Sequence, residues 1–269
     1  MHDEVHGTLR AAHVYSGQFF KRQHSGSSLS AMRVVPIVLD LIRPGSVVDV
    51  GCGLGEWLAT FQEHGVSDIL GIDGNYVDRD MLYIPQQDFK TIDLNRPFTL
   101  DRTFDLAVCL EVAEHLEAEH ANDFVASLTR LAPIILFSAA IPLQSGTHHV
   151  NEQWPDYWAQ KFAMRGFVPV DALRKSIWSN SDIQVFYRQN IMFFCTEQAL
   201  ASNSALAKEF KETNREMLSV VHPEQYFISI QYHSPLGQLR SLVGKIPLAR
   251  RTYRTVRKWC QVRSNYGKC

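Results

Sequence analysis

The segment Ser46-Val47-Val48-Asp49-Val50-Gly51-Cys52-Gly53-Leu54-Gly55 constrains this chain more than any other. A short β-branched run followed by three glycines at every second position predicts a buried strand that turns sharply into a helix. Glycines there let the backbone take left-handed angles and approach a ligand closely, and the helix N-terminus that follows favours negative partial charge. The spacing is GxGxG with an acid two residues before the first glycine. It is not the GxGxxG of dinucleotide-binding folds, which argues against a nicotinamide oxidoreductase.

The remaining pattern builds a sheet around that turn. Residues 31–42 space Val34, Val35, Val38, Leu41 and Ile42 as a helix does, and Arg43-Pro44-Gly45 stops it. Strands are expected at Ser46–Val50, Ile69–Asp73, Phe89–Asp93, Phe104–Leu110, Pro133–Ser138, Phe167–Val170 and Gln184–Phe194. Helices are expected at Glu56–His64, Ala118–Leu131 and Pro155–Arg165. Ser25-Gly26-Ser27-Ser28 reads as a loop. This alternation predicts an α/β doubly wound sheet, whose ligand site lies beyond the carboxyl ends of the strands.

The residues after each strand follow that rule. Strand two ends in Asp73-Gly74, eighteen residues past Gly55, where a carboxylate can accept from both hydroxyls of a ribose. Strand three ends in Asp93-Leu94, an acceptor for an exocyclic amine beside an apolar residue for a ring face. Strand four runs into Leu110-Glu111-Val112-Ala113-Glu114-His115-Leu116. After strand five comes a polar and aromatic stretch holding His148, His149, Asn151, Glu152, Trp154, Tyr157 and Trp158. A histidine can take the proton of an attacking hydroxyl or amine. Adjacent residues of an extended chain point to opposite sides, so one of His148 and His149 faces the acceptor, and His149 is the candidate base. The aromatics can stack on a sugar or an aromatic acceptor.

The D-x-G-x-G-x-G motif, Asp73, Asp93-Leu94 and the Glu-Val-x-Glu-His-Leu segment resemble the class I S-adenosylmethionine-dependent methyltransferases over roughly Val34 to Cys195. The resemblance implies a Rossmann-like seven-stranded sheet, six strands parallel and an inserted antiparallel seventh. It implies a cofactor site of Asp49, Gly51, Cys52, Gly53, Gly55, Asp73, Gly74, Asp93, Leu94, Leu110, Glu111 and His115. It implies catalysis at His149, His148 and Glu152, and acceptor contacts at Tyr15, Asn151, Trp154, Tyr157 and Trp158. Glu114 and His115 serve equally well as caps and packing for the next helix. The absence of a [DNS]-P-P-[YFW] motif after strand four disfavours methylation of nucleobase amines. No metal is indicated, although His148, His149, Asn151 and Glu152 offer donors of the kind some sugar O-methyltransferases use. The run from Tyr15-Ser16-Gly17 through Trp154–Trp158 to Tyr187-Arg188-Gln189-Asn190 is similar to bacterial methyltransferase-domain proteins associated with glycan assembly. A small molecule or glycan is therefore the expected acceptor.

Charge divides the chain. Its formal net charge is −1, yet residues 225–269 carry nine Lys/Arg and no acid, leaving 18 basic against 28 acidic residues elsewhere. Ala249, Tyr253, Val256 and Cys260 share one helical face amid arginines, so residues 240–269 suit a peripheral membrane surface or an acidic partner. No nucleic-acid-binding module is visible, and RNA is the less favoured partner. Three segments are expected: a lid with Tyr15, Phe19 and Phe20 over 1–30, a methyltransferase domain over 31–200, and a helical basic extension over 201–269. Five scattered cysteines with no metal-like spacing, no apolar leader and no run of 18 apolar residues point to the cytoplasm, with a place at the inner membrane face. A non-catalytic cofactor-binding scaffold and an RNA methyltransferase using the basic tail remain as alternative readings.

Overall fold

The computed structural model describes residues 26–235. The expectations for Tyr15 and the N-terminal lid, and for the basic segment 240–269, lie outside these residues. Compact packing groups the chain through His222 as one unit, with Pro223 opening a second.

In chain order the elements are α1 (Gly26–Ile42), β1 (Ser46–Val50), α2 (Glu56–Glu63), β2 (Asp68–Asp73), β3 (Phe89–Thr91), β4 (Leu106–Leu110), α3 (Ala121–Leu128), β5 (Ile134–Ser138), α4 (Pro155–Ala163), β6 (Phe167–Val170), α5 (Arg174–Ile177), α6 (Val185–Asn190), β7 (Met192–Thr196), α7 (Glu197–Ser202), α8 (Ser204–Glu212) and α9 (Pro223–His233). The seven strands form one sheet in the order β3-β2-β1-β4-β5-β7-β6. β7 runs antiparallel between β5 and β6, and the other pairings of β1 to β5 are parallel. The strand order reverses direction at β1 and β4, which opens a crevice at their carboxyl ends.

Both faces of the sheet are buried, and the side chains alternate between them. Val47, Leu106, Val108, Leu136 and Phe193 join α1 and α2 in one core. Val48, Val50, Ala107, Cys109, Ile135 and Phe194 join α3 and α4 in the other. Cys52, Cys109 and Cys195 are buried free thiols. In the second core Phe162 stacks on Phe194 at 4.0 Å between ring centres and meets Phe137 edge-on.

Two elements differ from the sequence reading. Helix α1 already includes Gly26, the first described residue, so Gly26–Ser28 is helix and not loop. Its buried face there is made of hydroxyls: Ser30 Oγ donates to Gly26 O and accepts from the backbone N–H of Gln184. The expected strand Gln184–Phe194 is α6 followed by β7. Tyr187 packs edge-on against Trp57 of α2, and the buried Arg188, Gln189 and Asn190 side chains are all hydrogen-bonded, which a helical turn permits. Leu200 and Leu206, after β7, enter the first core. Among the described residues no helix is long and apolar enough to cross a membrane.

Removing the Phe162 ring leaves a cavity in a close-packed aromatic group. Phe162→Ala is expected to cost about 3–5 kcal/mol in urea unfolding.

Candidate active site

The glycine turn is held from below by β2. Gly51 N–H donates to Ile72 O at 2.8 Å, and Cys52 N–H to the same oxygen at 3.2 Å. Gly53 N–H donates to Asp73 Oδ2 at 2.7 Å. Gly51 adopts φ +79°, and a Cβ there would come within 2.4 Å of the Val112 side chain, so this position admits only glycine. Gly55, at φ +87°, starts α2 and faces Ile84.

Asp73 is the hub. Its Oδ1 accepts from Gly74 N–H at 2.6 Å and from the Tyr76 hydroxyl. Tyr76 lies over Gly74, where a Cβ would meet its ring at 2.3 Å. Burial, then Asp73, pushes the Tyr76 phenol up. A cleft of about 740 Å³ opens here, within the usual range for small-molecule sites. Gly51, Asp73, Gly74, Asp93, Leu94, Glu111 and His115 line it, together with Tyr76.

The other expected cofactor residues lie behind this wall. Asp49 is buried at the end of β1; burial, then Asp73 and Glu56, raises its carboxyl pKa. Cys52 is buried beneath the turn with its Sγ toward Gly71, and Leu110 belongs to the core. Their side chains support the turn. None of the three is on the cleft surface. Asp93 is exposed and accepts from Asn95 N–H at 3.1 Å, which with Arg96 holds its carboxyl below the ordinary value.

The segment after β4 carries two glutamates. Glu111 adopts φ +56°, and its carboxylate accepts from Gln144 Nε2 at 2.7 Å and Asn190 Nδ2 at 3.2 Å. Burial raises its pKa. Glu114 is fully buried, and neither of its carboxylate oxygens has a hydrogen-bond partner. Burial, then Glu111, raises its pKa well above the carboxylate range. Its backbone oxygen accepts from Val150 N–H and Asn151 N–H, which ties the loop after β5 to this point.

That loop delivers His149. Its Nδ1 is 2.9 Å from Glu152 Oε1 and its Nε2 is 4.0 Å from Glu114 Oε1. The ring meets His115 edge-on at 5.0 Å. Glu152 also accepts from Leu143 N–H and Ser145 N–H, both at 2.8 Å. Glu152 thus holds the loop and aims His149. His148 is exposed at φ +61° and meets the group only through its carbonyl, which lies 3.2 Å from His115 Nδ1. It is not paired with His149 in one site. Burial, then neighbouring histidines, keeps the His115 pKa below its usual value despite the His148 carbonyl.

The expected acceptor residues separate. Trp158 is a core residue against Phe137, so it cannot meet an acceptor. Asn151 is buried and accepts from Gln153 Nε2. Tyr157 is half-buried with the Lys161 ammonium 4.4 Å above its ring, and Trp154 is exposed. The donors gathered at one point are Glu114, His115 and His149, not His148, Asn151 and Glu152. Tyr76 and Glu114 were not assigned from sequence. For Tyr76 the available signal was an aromatic three residues past Asp73 in a glycine-containing turn.

A methyltransferase-domain family model matches residues 29–180, more than half of the chain. The chain belongs to that methyltransferase-domain family. A search of curated proteins finds no match. Among solved structures, the sugar N-methyltransferase KedS8 of Streptoalloteichus sp. ATCC 53650 is similar in fold, at 16% identity over 64% of this chain and 88% of that one, with a TM-score of 0.51. Magnesium protoporphyrin IX methyltransferase of Synechocystis PCC 6803, with bound S-adenosylhomocysteine, aligns at 22% identity over 66% of this chain and 86% of that one, with a TM-score of 0.48.

The raised Asp49 pKa has a sign that can be tested. The folded chain holds this proton more tightly than the unfolded chain. The stability it contributes is present below the unfolded value of 3.8 and declines as pH rises toward the folded value. Asp49→Asn is expected to unfold at a higher temperature than wild type at pH 7, with a flatter pH dependence above pH 4, in calorimetric scans.

Proposed function

We propose that this protein transfers the methyl group of S-adenosylmethionine to an oxygen or nitrogen nucleophile of a small molecule or glycan, with a sugar as the acceptor class. The observation that carries the reading is Asp73, fixed by the glycine-turn N–H of Gly53 at the wall of a nucleoside-sized cleft. Bound S-adenosylmethionine supplies a methyl carbon on a positively charged sulfur, which leaves as the neutral thioether of S-adenosylhomocysteine when an acceptor lone pair attacks.

The chain's residues fit that molecule. Asp73 offers carboxylate oxygens to a vicinal diol, and Leu94 offers an apolar wall for the adenine. The Glu111 carboxyl at the cleft wall gives the positive end an acidic neighbour. On the acceptor side, the loop after β5 sets His149 against Glu114 and His115, and the acceptor's proton is given up beside His149. Orientation of the acceptor and removal of that proton are what the protein adds to an already reactive methyl group. The exposed Trp154 provides a stacking face for a sugar.

Titration calorimetry tests the donor. S-adenosylmethionine and S-adenosylhomocysteine are expected to bind at micromolar concentration. Asp73→Ala should weaken both at least tenfold, since hydrogen bonds to a charged group contribute about 1.5–3 kcal/mol. No binding to the wild type would reject the reading. Because the Tyr76 hydroxyl occupies Asp73 in the open cleft, a ribose hydroxyl must displace it. Tyr76→Phe is expected to tighten S-adenosylhomocysteine binding by roughly 2–10-fold, the worth of one competing hydrogen bond.

A further inference from the structure

Three side chains at the edge of the cleft form a donor set that packing alone does not explain. Glu114, His115 and His149 each present one ligand atom, and these atoms lie within 4.8 Å of one another. They come from two segments, and the loop bearing His149 is pinned to the Glu114 backbone oxygen by two hydrogen bonds.

Each imidazole is already oriented by a partner on Nδ1. A carbonyl oxygen only accepts, so His115 Nδ1 carries its proton toward His148 O. His149 Nδ1 donates to the Glu152 carboxylate at 2.9 Å. Both rings therefore keep a lone pair on Nε2. A carbonyl or carboxylate on the distal nitrogen is the arrangement that fixes the tautomer and orientation of metal-bound histidines.

The third donor supplies the independent sign. The Glu114 side chain is 1% exposed, and both its oxygens lack hydrogen-bond partners. Burying a carboxylate without a partner is costly, and the group that would relieve the cost must sit within reach of those oxygens. Glu111 cannot do so, because its own oxygens are held by Gln144 and Asn190. Gly146 lets the His149 ring lie close against the backbone of its own loop: a Cβ there would come within 2.0 Å of His149 Nε2.

We propose that Glu114, His115 and His149 form a binding site for one divalent cation beside the methyl-donor cleft. Two imidazole nitrogens and one carboxylate suit a first-row ion such as Mn²⁺, Co²⁺ or Zn²⁺ better than Ca²⁺. Bonds of about 2.0–2.2 Å place ligand atoms roughly 3–4 Å apart, so the donors close on the ion by about 1 Å of side-chain movement. Three protein ligands leave positions open for an acceptor oxygen. A hydroxyl bound there is acidified; His149 then acts as a ligand of the ion and not as the base, and the proton passes to solvent, which favours an oxygen nucleophile. That use of the ion rests on the methyltransferase reading, while the site itself rests on the three side chains.

The test uses the full chain, freed of metal by chelation and titrated with Mn²⁺, with the free-ion paramagnetic resonance signal as readout. One Mn²⁺ per chain at micromolar affinity is expected, with Co²⁺ giving the absorption bands of a mixed nitrogen and oxygen site. Glu114→Gln and His149→Ala should each weaken binding at least a hundredfold with circular dichroism unchanged. Glu152→Gln should weaken it about tenfold through the imidazole it orients. His148→Ala, which keeps the carbonyl, should bind as wild type. No stoichiometric Mn²⁺ or Co²⁺ binding by the wild type overturns the proposal, as does wild-type affinity in both ligand variants. S-adenosylhomocysteine binding measured on the same sample separates the two readings. Nucleoside binding without the ion rejects only the cation site, and ion binding without the nucleoside rejects only the transferase.

Discussion

The hydrogen bond from Gly53 N–H to the Asp73 carboxylate joins the turn after β1 to the end of β2. Much of the cleft follows from it. It fixes the depth at which the glycine turn stops, and it places the carboxylate at the cleft wall with Gly74 and Tyr76 on its second oxygen. The parallel register of β1 and β2, which pairs Val50 with Ile72, brings these groups together. A shift of one residue would turn Asp73 to the other face of the sheet.

A second constraint acts after β4. There the chain turns through a left-handed Glu111 and sets two carboxyl groups three residues apart, Glu111 at the cleft wall and Glu114 fully buried. One is neutralised in a structural sense by two amide donors. The other is left with its oxygens bare beside two imidazoles. Such an arrangement costs stability, and folds retain costs of this kind where chemistry uses them. The loop after β5, with left-handed residues at Leu143, Ser145 and His148, is bent to reach it.

The fold was legible because its signals are local. Asp49–Gly55 announces a strand, a turn and a helix within ten residues, and Asp73 and Asp93 follow strands of clear apolar character. The antiparallel β7 between β5 and β6 came from family resemblance and not from periodicity. The segment 184–194 misled because Val185, Phe186 and Ile191–Phe194 form an apolar run that hides a helical turn whose buried polar groups are satisfied only by distant partners: Trp178 O, Glu111 and Gln144. Ser28 and Ser30 concealed the start of α1 because small hydroxyls, not apolar groups, fill its tight contact with Gln184. In the site, the position of His149 beyond the end of β5 could be anticipated from the strand-end rule. The partnership of His149 with Glu114 could not, since it depends on how a bent loop returns to residues 35 positions earlier in the chain. Trp158 looked like a contact residue because sequence shows an indole near a polar loop, not the direction in which the first turn of α4 aims it.

The amide network around Glu111 also bears on how this fold can diversify. Asn190 donates to Glu111 and to Gln144, so α6, the residue after β4 and the loop after β5 share one set of hydrogen bonds. Loops at strand ends are ordinarily the interchangeable parts of an α/β enzyme. Here the loop after β5 is keyed to a helix far away in sequence, and a transplanted loop lacking Gln144 would take one amide donor from Glu111 and leave it only the bond from Asn190. Exchanging this loop without loss therefore requires a glutamine, or another side chain that both donates and accepts, at position 144.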